Sequence, residues 1–318
     1  MQIRWMTVAL SLVAGSAFGQ NSAVDAHIAA ARAVAGEHAG MVDRLCPRET
    51  TATAPRGGPR PPGPRSTPPR ESWYAEPVRV FDNLYYVGMT EFSTWAVTTN
   101  EGIIVIDPIF DYSVEAEVVD GLRKLGFDPA DIRYVLVSHG HGDHAGGAKF
   151  LQDNFGARVV MGAADWELVE AQNPDWKPER DIEVYQAQDL TLGDTTLQLV
   201  LTPGHTWGTI STLIPVRDGS RDHVAALWGG TLFNFGPEPD RFTAYAESAE
   251  RFLDIAKRAG ADIVLSNHTD YDGSKQKIPA LASRGPGDPH PFVVGTDSIE
   301  RYLTVAHECA LAALASVE

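Results

Sequence analysis

Basic residues are scarce in this chain: 26 lysines and arginines stand against 42 aspartates and glutamates, a formal net charge of -16. Nucleic acid is thereby an unsuitable partner, because neutralising phosphates needs a basic surface that this composition does not supply. There is also no block of like charge to serve as an interaction tail. Long apolar runs are missing too. No segment approaches the ~18 consecutive apolar residues of a membrane span, so no transmembrane helix is expected. Cysteine is nearly absent, with Cys46 and Cys309 alone in 318 residues. Neither has a second cysteine at metal-site spacing, which argues against a cysteine-bound metal. The two either pair, joining the N-terminal segment to a C-terminal helix, or stay as buried thiols; geometry decides, and the sequence carries none.

What is present starts with Arg4, an apolar run from Met6 to Val13 and the triplet Ala17-Phe18-Gly19. This is the pattern of an export signal over residues 1–19, and it places the mature chain in the periplasm or outside the cell. Ala23 to Leu45 carries Ile28, Ala31, Val34, Met41 and Leu45 at helical intervals and reads as an amphipathic helix. From Pro55 to Pro69 proline, glycine and arginine dominate, a composition that builds no core, so residues 20–72 read as that helix followed by an extended linker.

A folded domain is expected over 73–318. Val78 to Phe81 and Leu84 to Gly88 flank Asp82-Asn83 as a hairpin, and Thr94 to Thr99 and Gly102 to Ile106 continue the strands around Asn100-Glu101. Helix and strand then alternate: helix Ser113 to Leu125, strand Tyr134 to Val137, helix Ala148 to Phe155, strand Arg158 to Met161, helix Ala164 to Gln172. A second strand-rich stretch covers Leu190 to Leu192, Leu197 to Leu201, Thr209 to Pro215 and Val224 to Trp228, and helices return at Tyr245 to Ala259 and Asp297 to Ala315. Strands followed by helices, twice over, predict an α/β (α+β) fold of two sheets packed face to face with helices outside.

The chain is organised around Ser138-His139-Gly140-His141-Gly142-Asp143-His144-Ala145-Gly146-Gly147. Three imidazoles and a carboxylate fall within six positions, directly after a buried strand. Histidine and aspartate are poor core residues, and the interleaved glycines let the backbone turn the donors toward one point. Neutral imidazole with carboxylate suits zinc. His205, in Thr202-Pro203-Gly204-His205-Thr206, and His268, in Ser266-Asn267-His268, also follow strands. Alone each is a weak signal; with the first cluster they supply six donors at the ends of different strands, where α/β folds build sites.

His139-x-His141-x-Asp143-His144, then Pro203-Gly204-His205-Thr206, then His268, resembles the metallo-β-lactamase superfamily, from about Tyr86 to the C-terminus. The resemblance implies a four-layer αβ/βα sandwich. It also implies two zinc ions per chain, one held by His139, His141 and His205 and the other by Asp143, His144 and His268. Asp107 matches the family's strand-end aspartate that supports the metal loop. Many members place a bridging aspartate in a strand-end Gly-Asp pair; here Gly230 stands at that position, as in the β-lactamase subclass with one three-histidine site and one Asp-His-His site. The second metal is then expected to be held less tightly than the first.

The activity this implies is opening of a β-lactam amide by a zinc-bound hydroxide, with Asp143 in the catalytic centre. A hydrolase of another ester, lactone or amide is the alternative, and a zinc-binding protein without catalysis a more distant one. Substrate contacts are expected from Thr231 and Asn234, where the subclass carries small polar residues, and from Trp207 beside His205, with Thr90 to Trp95 along one groove wall. The expected partner is a small molecule acting on a monomer, with no nucleic acid and no membrane span.

Overall fold

The computed structural model describes residues 13–47, 67–285 and 287–318, with side chains from residue 22 onward. The expected export signal up to Leu12 and most of the Pro-rich stretch fall outside the described residues. Seven strands lie side by side in sequence order: β1 (Val78–Arg79), β2 (Leu84–Tyr86), β3 (Trp95–Thr99), β4 (Gly102–Ile106), β5 (Ile132–Leu136), β6 (Arg158–Gly162) and β7 (Ile182–Val184). The first four pair antiparallel and the rest parallel. A second sheet holds β8 (Gln188–Leu192), β9 (Thr195–Leu201), β10 (Ile210–Asp218), β11 (Arg221–Trp228) and β12 (Ile263–Ser266), antiparallel except for β11 with β12.

Side-chain alternation assembles these sheets into layers, because successive residues of a strand point to opposite faces. Ile104 and Ile106 of β4 enter a core between the two sheets, with Leu197, Leu199, Ile263 and Leu265 from the second sheet. Ile103 and Val105 face the other way, into a core under the helices of the first sheet. Those helices are α3 (Asp120–Lys124), the short α4 (Gly142–Ala145), α5 (Ala148–Phe155) and α6 (Ala163–Gln172).

The outer face of the second sheet is covered by α7 (Pro239–Arg258) and α10 (Thr296–Ala315), with α8 (Thr269–Asp272) and α9 (Ser274–Ala282) between them in sequence. Phe242, Tyr245, Ala246, Ala249 and Phe252 of α7 and Ile299, Tyr302, Leu303 and Ala306 of α10 recur at helical spacing and share one core. The result is the four-layer αβ/βα sandwich expected from the element order.

Differences from the sequence reading are local. The N-terminal helix is divided into α1 (Val13–Val34) and α2 (Ala39–Leu45), because Gly36 takes a left-handed φ of 51° and opens a 3-10 turn over Gly36–His38. The helix expected at Ser113 to Leu125 starts as a π-helical turn over Glu115–Val119 before α3. β7 is too short for a periodic signal, and α9 carries Pro279. Cys46 and Cys309 are disulfide-bonded, with Cα atoms 4.4 Å apart, and this ties the end of α2 to α10.

Candidate metal centre

Every residue of the expected metal set lies at the edge where strands of both sheets end. His139 and His141 follow β5, Asp143 and His144 form the start of α4, His205 lies between β9 and β10, and His268 follows β12. The two sheets are stitched together there: the Ile210 amide, opening β10, donates to the Ser138 carbonyl at 2.8 Å.

Three nitrogens converge. His205 Nε2 lies 3.0 Å from His139 Nε2 and 3.1 Å from His141 Nδ1. His139 Nδ1 donates to the Gly229 carbonyl at 2.8 Å and His205 Nδ1 to the Leu232 carbonyl at 2.5 Å, so both Nε2 atoms carry lone pairs. Lone pairs facing one another repel unless a cation lies between them. Tetrahedral zinc with its usual Zn–N bonds separates ligand nitrogens by about 3.3 Å, close to what is found.

A second group abuts the first, with His139 within ligand reach of both. His144 Nε2 is 3.2 Å from Asp143 Oδ2 and 3.2 Å from His268 Nε2, while His268 Nε2 lies 3.9 Å from the Asp143 oxygen. Asp107 sits behind this group. Its carboxylate accepts the Ser138 amide and hydroxyl, both at 2.7 Å, and its Oδ2 lies 3.2 Å from His144 Nδ1. The Asp107 backbone is held at a left-handed φ of 56°, and its carbonyl accepts the Thr94 hydroxyl. Such strain persists only where the surroundings impose it.

Burial and mutual repulsion keep most of these imidazoles neutral. Desolvation, then neighbouring imidazoles, push His205 and His268 down to about 3, and His139 and His141 also fall below the ordinary histidine value. Burial opposes charge on His144 as well, but the carboxylates of Asp143 beside it and Asp107 behind it outweigh burial and hold it up to about 10. Burial likewise works to raise Asp143, yet His144, His268 and His141 pull it well below the usual carboxylate range. The donor set is thus four neutral imidazoles and one ionised carboxylate, with His144 giving up its proton on binding a cation, which fits a zinc-type ion.

Gly230 packs directly on His205: a Cβ there would lie 2.5 Å from the His205 Cβ and 2.8 Å from its Cγ. A side chain at this position therefore displaces a donor of the first group. Of the expected substrate positions, Trp207 is 51% exposed and Asn234 is exposed, whereas Thr231 is 1% exposed with its hydroxyl 3.4 Å from that of Ser266. Thr231 thus has no open surface to present to a substrate, because its carbonyl is held from within by the Tyr245 hydroxyl. Within the expected Thr90 to Trp95 wall, Phe92 packs against His268, and Phe110 and Tyr112 extend an aromatic row beyond it.

Three site-supporting residues were not legible in the sequence. Asn267 Nδ2 donates to the same Gly229 carbonyl as His139, at 2.7 Å. Arg241 donates to the carbonyls of Gly204 and His205. Asp165 accepts from both histidine-bearing loops. Arg241 and Asp165 lie far in sequence from the histidines whose loops they hold, and Asn267, although it precedes His268, supports His139 from 128 residues away, so no local pattern marks these roles.

The profile of the metallo-β-lactamase superfamily matches residues 92–268. The hydroxyacylglutathione hydrolase of Acidiphilium cryptum is 29% identical over 202 residues, 60% of this chain and 72% of that protein. The N-acyl homoserine lactonase AttM of Rhizobium johnstonii is 33% identical over 186 residues, covering 52% of this chain and 69% of its own length. Two further hydroxyacylglutathione hydrolases are spanned over only 53% and 59% of their lengths. Among solved structures, BJP-1, a subclass B3 metallo-β-lactamase of Bradyrhizobium japonicum, superposes with a TM-score of 0.62 at 29% identity, over 73% of this chain and 90% of that one.

Proposed function

This chain belongs to the metallo-β-lactamase superfamily, and on that premise we propose that it is an exported di-zinc hydrolase that opens the amide of β-lactam rings. The observation that carries the reading is the pair of abutting donor groups, His139, His141 and His205 beside Asp143, His144 and His268, with Gly230 pressed on His205 where a bridging carboxylate has no room. Zinc bound there supplies a Lewis acid and lowers the pKa of water toward ~7.

The chain's own residues do the rest. Gly229 and Leu232 carbonyls fix the tautomers of His139 and His205, so their Nε2 lone pairs would be ready to hold a metal ion without reorganisation. Asp143 stays ionised and contributes the negative charge of the second group. Trp207, two residues after His205, and Asn234 are exposed and so open to a substrate, and the aromatic row of Phe92, Phe110 and Tyr112 beside His268 supports an apolar wall for its bulk. Export is supported by the Arg4 to Gly19 pattern and by the Cys46–Cys309 disulfide, which persists in oxidising compartments.

Hydrolysis of another ester, thioester or lactone is the second reading, favoured by the names of the sequence relatives. Turnover of a penicillin, a cephalosporin and a carbapenem by the zinc-loaded protein, run beside a lactone and a glutathione thioester, separates the two. β-Lactam turnover is the expected result. Turnover confined to the lactone or thioester transfers the assignment to the second reading.

A further inference from the structure

One buried carboxylate outside the donor set links the two loops that carry the three-imidazole group. Asp165 is in the first turn of α6, and its side chain is 1% exposed. Its Oδ2 accepts the Gly140 amide at 2.8 Å and the Thr206 hydroxyl at 2.7 Å, while Oδ1 accepts the Gly208 amide at 3.0 Å. Gly140 lies between His139 and His141, and Thr206 follows His205. The contacts are therefore made one residue away from each of the three imidazoles.

The surrounding backbone leaves little slack. A Cβ at Gly208 would lie 2.6 Å from the Asp165 nitrogen and 2.7 Å from its Cγ, so the His205 loop runs directly against the start of α6. The Thr206 hydroxyl is also 2.7 Å from that of Thr209, which returns the loop toward β10. Two amide donors and a hydroxyl aimed at one carboxylate, away from water, form a charge-assisted clamp. The His139 and His205 Nε2 lone pairs, 3.0 Å apart, must be held against their mutual repulsion, and a small drift of either loop opens that spacing.

We propose that Asp165 is a positioning residue for the three-imidazole site, holding the Gly140 and Thr206–Gly208 loops at the separation at which His139, His141 and His205 bind one metal ion. The proposal rests on the metal-binding reading above but concerns a residue that touches neither metal nor substrate.

The test is titration of metal-free protein with Co2+ and Zn2+ against a chromogenic chelator, comparing the unsubstituted chain with Asp165→Asn and Thr206→Val. In Asp165→Asn an amide N–H must face either the Gly140 or the Gly208 N–H, so one strand of the clamp turns repulsive. Affinity at the first site is expected to fall on the order of 10- to 100-fold, with a changed Co2+ absorption intensity, while the group around Asp143 changes less. Thr206→Val removes the hydroxyl that meets Asp165 and Thr209 but leaves both amide bonds to the carboxylate, and is expected to weaken the first site several-fold; it serves where Asp165→Asn does not fold. Wild-type affinity and an unaltered Co2+ spectrum in folded Asp165→Asn, or in Thr206→Val, overturn the proposal. Failure of the unsubstituted chain to bind metal overturns the metal-binding reading itself.

Discussion

His144 Nδ1 lies 3.2 Å from Asp107 Oδ2 with both side chains buried, and this approach leaves His144 Nε2 as the nitrogen that faces Asp143 and His268. The ring's orientation is therefore set by a residue 37 positions earlier in the chain, at the end of β4. Asp107→Asn keeps a residue that tolerates a left-handed backbone but removes the carboxylate charge. Metal affinity of the Asp143, His144 and His268 group should fall about 10- to 100-fold, measured by chelator competition. Unchanged affinity would show that the pair only packs.

His139 is within reach of both donor groups, and Asp143 of one. His139→Ala and His205→Ala should abolish activity and lower zinc content per chain, whereas Asp143→Ala should retain close to one metal ion. Atomic absorption on dialysed variants distinguishes these. Equal zinc content in all three refutes the division of ligands.

Without a carboxylate at position 230, stepwise zinc titration should reveal one tight and one weaker site. Inserting the missing group does not repair this. Gly230→Asp places a Cβ 2.5 Å from the His205 Cβ, so the variant should lose affinity at the first site instead of gaining it at the second. Two equally tight sites in the unsubstituted chain would contradict the first statement, and a Gly230→Asp protein with two tight sites the second.

The Cys46–Cys309 bond spans 263 residues of sequence. In the chain-entropy account a loop of that size is worth roughly 5 to 6 kcal/mol. Cys46→Ser with Cys309→Ser should lower the free energy of urea unfolding by that order while preserving the metal content of the folded protein. A double variant as stable as the oxidised parent would show that the α1 and α2 docking surface alone holds the N-terminal segment.

Glu117, in the π-helical turn, is 1% exposed, and burial pushes its carboxyl up to about 8, against a bond from the Ala75 amide that lowers it. Between pH 4.5 and about 8 the native state holds a proton that the unfolded chain has released, so this residue subtracts stability as pH rises through that window. Glu117→Gln should therefore raise the melting temperature at pH 9 and leave it little changed at pH 4.5. Melting curves offset equally at both pH values would remove the carboxyl as the cause.

Much of the fold was legible because its signals are local. Ile103 to Ile106 alternate between two cores and α10 buries every third or fourth residue, and both patterns are set by backbone geometry before any partner arrives. The His139 to His144 loop was legible for the same reason: its donors are neighbours in sequence. The break at Gly36 and the π-helical turn at Glu115 were not, since a periodic pattern tolerates an extra residue or a changed direction without losing its apolar positions.

The sequence by itself determined the chemistry of the donors, the order in which strands deliver them and the absence of a carboxylate at position 230. Tertiary structure alone decided that Cys46 meets Cys309, that Thr231 faces inward toward Ser266, and that Asp165 joins the loops of His139 and His205. Such contacts depend on how two sheets and their covering helices settle against one another. That arrangement is set by the packing of three cores at once, and no window of consecutive residues contains it.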